Sequence, residues 1–134
     1  MRTTTIPLLT SKPVPVIGTG AMPLSNASDD GTTMPLDEAI AVLHHAFDAG
    51  LRLVDTADIY GHGAEGFGAA EALLGDVLRT APHLRDRMVL ATKGGICPPI
   101  PYDSSPEHLR RALDDSLRRL GVDVIDLYQI HRPD

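Results

Sequence analysis

Short apolar runs and longer stretches of helical periodicity alternate along this chain, and that alternation restricts its fold more than any other feature. The first apolar run, Val14 to Ile17, leads into Gly18-Thr19-Gly20-Ala21-Met22. Leu36 to Ala49 then carries Ala39, Val42, Leu43, Ala46 and Phe47 on one helical face, with Gly50 where a helix would stop. Leu51 to Val54 reads as a strand ending in Asp55, and Ala69 to Leu78 as a helix with Leu73, Leu74, Val77 and Leu78 on its apolar side. Met88 to Ala91 is a further strand, ending in Thr92-Lys93. Ser105 predicts an N-cap, Pro106 the first helical position and Gly121 the end of the following helix, which suits Glu107 to the positive end of its dipole. Val124 to Ile130 is the last strand and runs into His131. Strands separated by helices must lie parallel, because each helix carries the chain back to the starting edge. The expected fold is therefore α/β, with residues 1–134 forming a single domain.

The same topology gathers chemistry. In a parallel sheet all C-terminal strand ends share one edge, where α/β proteins build their sites. Asp55, Lys93 and His131 follow three such strands, and Tyr60 stands five positions after Asp55 in the same exit loop. A phenol of ordinary pKa, ~10, exchanges protons poorly near neutrality, whereas a neighbouring ammonium favours its ionised form. A carboxylate would hold that ammonium in place, and an imidazole would orient a substrate oxygen. These groups suit proton transfer to an oxygen that gains negative charge, as when a carbonyl receives a hydride. No side chain supplies a hydride, so a redox cofactor is required.

Composition narrows the alternatives. Twelve basic residues against 18 acidic ones leave a net charge of −6, which argues against a nucleic-acid partner. Arg110, Arg111, Arg118 and Arg119 alternate with leucines at helical spacing and read as a solvated helix face. A 43% apolar fraction supports a core, yet no run is long enough to span a membrane, so a soluble cytoplasmic protein is expected. The single cysteine, Cys97, excludes an internal disulfide and reads as a small half-buried side chain. Gly61-His62-Gly63-Ala64-Glu65-Gly66 matches a dinucleotide-binding pattern only literally, since loop residues separate it from the strand. His44, His45, His62, His83 and His108 lack metal-ligand spacing, so no metal site is expected.

Asp55-Thr56-Ala57-Asp58-Ile59-Tyr60-Gly61, Ala91-Thr92-Lys93, Ser116-Leu117-Arg118-Arg119-Leu120-Gly121-Val122-Asp123 and the closing stretch from Ile125 to Asp134 occur in this order over nearly the whole chain. Together they strongly resemble the aldo-keto reductases. The resemblance implies a TIM (β/α)8 barrel, of which this chain supplies about the first four strands and three helices, and an NADPH-dependent enzyme acting on a small-molecule carbonyl substrate. It implies Tyr60 as general acid, Lys93 and Asp55 as the pair that tunes it, and His131 as the residue that orients the carbonyl. It also sets Gly20, Ala21 and Met22, with Asp55, beside the nicotinamide of NADP(H). Ala64 to Ala70 lengthens one loop relative to the family pattern, before Glu71-Ala72-Leu73-Leu74-Gly75. A whole barrel takes roughly 250 residues. The chain is therefore expected to be an N-terminal half, completed by a missing C-terminal half-barrel or, if nothing more is made, by self-association through exposed strands. A cofactor-binding regulatory subunit with little turnover is the alternative role.

Overall fold

The computed structural model describes residues 2–5, 14–25, 33–63, 66–99 and 101–132. Four parallel strands form its centre: β3 (Thr19–Gly20), β4 (Leu53–Asp55), β5 (Val89–Gly94) and β6 (Leu127–Ile130), paired in that order. A two-stranded hairpin, β1 (Thr3–Thr4) with β2 (Val14–Pro15), precedes them. The helices α1 (Leu36–Asp48), α2 (Ala69–Thr80) and α3 (Pro106–Leu120) occupy the three crossovers. Strand order follows chain order without a reversal, which is the winding of a barrel and not of an open doubly wound sheet.

One expectation fails here. Val14 to Ile17 is not the first parallel strand: Val14 pairs antiparallel with Thr4, while Val16 and Ile17 are exposed. The strand that joins the sheet is Thr19–Gly20, paired with Val54 and Asp55. The other strands fall where the apolar runs predict, with ends shifted by a few residues.

Strand alternation sorts the side chains. On β5, Leu90, Thr92 and Gly94 turn toward the helices, while Lys93 turns to the opposite face. Ala39, Leu43 and Phe47 of α1, with Leu73, Leu74, Val77 and Leu78 of α2, close over Val54 and Leu90 in one core. Each fully buried leucine there contributes about 1.5–3 kcal/mol.

The helix ends follow the sequence signals. Ser105 Oγ accepts the His108 backbone N–H at 3.2 Å, and Gly121 closes α3 in the left-handed region at φ 66°. Gly75 lets α2 meet α3 backbone to backbone, since a Cβ there would overlap the Arg119 carbonyl oxygen. No described helix is long and apolar enough to cross a membrane.

Candidate active site

The rim at the C-terminal ends of the parallel strands is knitted by main-chain hydrogen bonds that extend past the strands themselves. The N–H of Ala21 donates to Asp55 O at 2.8 Å, that of Thr56 to Ala91 O at 2.9 Å, that of Asp58 to Lys93 O at 3.1 Å and that of His131 to Gly94 O at 2.9 Å. On this frame Asp55 ends β4, Lys93 lies next to last in β5, and His131 directly follows β6. Tyr60 sits in the turn leaving β4.

The four predicted residues come together. Lys93 Nζ donates to Asp55 Oδ2 at 2.6 Å and to Thr56 O at 2.7 Å. It also lies 5.1 Å from the centroid of the Tyr60 ring, so ammonium and phenol meet over the ring face, without a hydrogen bond to the hydroxyl among the described residues. The His131 ring stands edge-on to that of Tyr60, 5.7 Å between centroids at 85°. Burial, then the charges of Lys93 and Arg132, push the His131 imidazole below its ordinary value against the opposing pull of Asp55. The ring is therefore neutral near pH 7, and its Nδ1 is buried without a partner among the described residues.

Sequence reasoning missed Gln129, whose Nε2 donates to Asp55 Oδ1 at 3.3 Å. Its signal was available: Gln129 lies two residues before His131 and pairs in register with Lys93, so it shares their face.

Of the loop residues expected beside a nicotinamide, Gly20 and Met22 border open space while the Ala21 side chain is buried. Gly20 is exposed, a Cβ built on it meets nothing within 4 Å, and Met22 is also exposed. The Ala21 bond to Asp55 O fixes this open backbone next to the Lys93–Asp55 pair. Thr19 Oγ1, buried nearby in the chain, likewise has no partner among the described residues.

Behind β5 lies a second polar cluster that the sequence did not announce. Glu71, fully buried, accepts from Thr92 Oγ1 at 2.6 Å and from Arg119 Nε at 2.7 Å. Arg119 is thus not part of a solvated arginine row, although Arg110, Arg111 and Arg118 are exposed as expected. Asp58 is 1% exposed, and its carboxyl, like the Tyr128 hydroxyl, reaches the space where Gly94 has no side chain. Burial and then the Glu71 charge push Asp58 up to about 7, with Arg119 opposing. Burial, Asp58 and Glu71 push the Tyr128 phenol up to about 12.

A carboxylate-held ammonium over a phenol, with a neutral imidazole at its edge, on the rim of a barrel-wound parallel sheet, is a set of groups able to pass a proton to or from a bound oxygen. The sequence pattern of the aldo/keto reductase family matches residues 16–134, and the chain belongs to that family. It is 63% identical over 108 residues to a 6-dehydroglucose reductase of Novosphingobium aromaticivorans, covering 80% of this chain and 35% of that protein. It is 38% identical over 115 residues to a 6-dehydroglucose reductase of Agrobacterium fabrum, covering 79% and 37%. An aldo-keto reductase from Klebsiella pneumoniae, solved in complex with NADPH, superposes with a TM-score of 0.72 at 30% identity over 100% of this chain and 41% of its own. The chain thus spans little more than a third of the curated relatives. Its four parallel strands and three helices correspond to part of the family's barrel.

Proposed function

We propose that this chain carries the catalytic residues of an NADPH-dependent reductase that converts aldehyde or ketone carbonyls to alcohols. The single observation that supports this most is the 2.6 Å Lys93–Asp55 pair lying over the Tyr60 ring with His131 beside it. In this reading Tyr60 delivers its hydroxyl proton to the carbonyl oxygen as negative charge develops there. Lys93 sets a positive charge beside the phenol that loses the proton, and Asp55, steadied by Gln129, keeps that ammonium in place. His131, a neutral imidazole near pH 7, hydrogen-bonds the same oxygen and fixes its approach. Gly20, Ala21, Met22 and Asp55 would hold the nicotinamide, which when bound supplies the hydride.

The names of the two relatives make 6-dehydroglucose the first substrate to try. Wild-type protein should oxidise NADPH in its presence. Tyr60→Phe should lower kcat/KM by about 10²–10⁴-fold with the unfolding temperature unchanged. An unaltered rate in Tyr60→Phe would overturn the assignment of the acid.

A further inference from the structure

A cavity of about 420 Å³ opens between the loop leaving β4, the loop leaving β5 and the half-buried side of α3. It lies on the outer side of the rim: His62 follows Tyr60 by two residues in the same loop, but Asp58 reaches the cavity from the helix-facing side of β5, opposite Lys93. Its volume falls within the range of small-molecule sites. Phe67, Ile96, Pro98 and Ala112 give it an apolar wall.

Its charges are already matched. Arg119 is bound to Glu71 and Arg111 to Glu107, both at 2.7 Å, and Asp115 is bound to Arg118. An ionic ligand would therefore compete with partners already in place. Of the described residues that line it, Asp58 Oδ1, on a side chain 1% exposed, and His108 Nε2, itself buried, have no hydrogen-bond partner. His108 Nδ1 lies 3.8 Å from the Asp103 carboxylate, so the ring's other nitrogen, Nε2, is the one without a partner. Two buried polar atoms without partners, one on a carboxyl that burial holds partly protonated near pH 7, beside an apolar wall call for a ligand whose hydroxyls both donate and accept and that brings a C–H face but no charge.

We infer that this cavity is a second binding site, for a neutral polyhydroxylated molecule of about one sugar ring. Cys97 lines the same cavity and reports on occupancy without reference to turnover. Alkylation of Cys97 by iodoacetamide is measured with and without myo-inositol, which has no carbonyl to be reduced. At about 10 mM inositol and millimolar affinity, the alkylation rate should fall by about tenfold. Glucosamine and glucuronate, charged at neutral pH, should protect at least several-fold less. Phe67→Ala, a change of an exposed side chain, and His108→Leu should each abolish protection. An alkylation rate indifferent to inositol, equal protection by the charged sugars, or protection that survives both substitutions would each overturn the site.

Discussion

Thr92 and Lys93 are neighbours on one strand, yet they serve two acid–base pairs of opposite character. On the inner face, Lys93–Asp55 is open to the rim, with side-chain exposures of 14% and 37%. On the outer face, Arg119–Glu71 is sealed at the carboxylate, which is 0% exposed and also satisfied by Thr92. The first arrangement keeps an ammonium available beside a phenol. The second commits both carboxylate oxygens to joining α2, α3 and β5. The same ingredients give chemistry where solvent and substrate can enter, and cohesion where they cannot.

The sharpest way to break this contrast is to remove one partner from each pair. Lys93→Met should cost about 10²–10⁴-fold in kcat/KM while shifting the unfolding midpoint little. Glu71→Ala should do the reverse. It strands Arg119 and Thr92 and should lower stability by about 3–5 kcal/mol in urea unfolding, with turnover per folded molecule nearly retained. If Glu71→Ala abolished turnover in protein that remains folded, the two faces would not be separable.

Asp58 sharpens the comparison through pH. Its folded-state value of about 7 exceeds the ordinary 3.8, so between these limits the folded protein holds a proton that the unfolded chain releases. The stability this contributes is complete below pH ~4 and disappears as pH rises through 7. Asp58→Asn lacks that loss. Its unfolding temperature relative to wild type should therefore climb by about 10–15 °C between pH 4 and pH 8, followed by calorimetry. A constant difference across that range would show that Asp58 is ionised throughout.

Much of the rim was legible because its logic is topological. Once strands alternate with helices, Asp55, Lys93 and His131 must share an edge wherever their exact ends fall. Ser105 and Gly121 were legible because caps act locally. The start of the sheet was not. A two-residue strand such as Thr19–Gly20 has no period to detect, and the apolar Val14 to Ile17 beside it offered a stronger but misleading pattern. The outer cluster was hidden for a different reason. Arg119 looks like its exposed neighbour Arg118, and what distinguishes them is a carboxylate 48 positions earlier. Charge spacing along one helix carries no record of a partner on another.

The hydrogen bonds that prolong the ladder beyond each strand have a consequence for descent. They are made by peptide groups, which every replacement except proline preserves, so the reacting side chains are anchored before the connecting segments leave the barrel mouth. Those segments are thereby free to be lengthened, shortened or rewritten. A lineage built on this frame can change what it admits without relearning how to transform it.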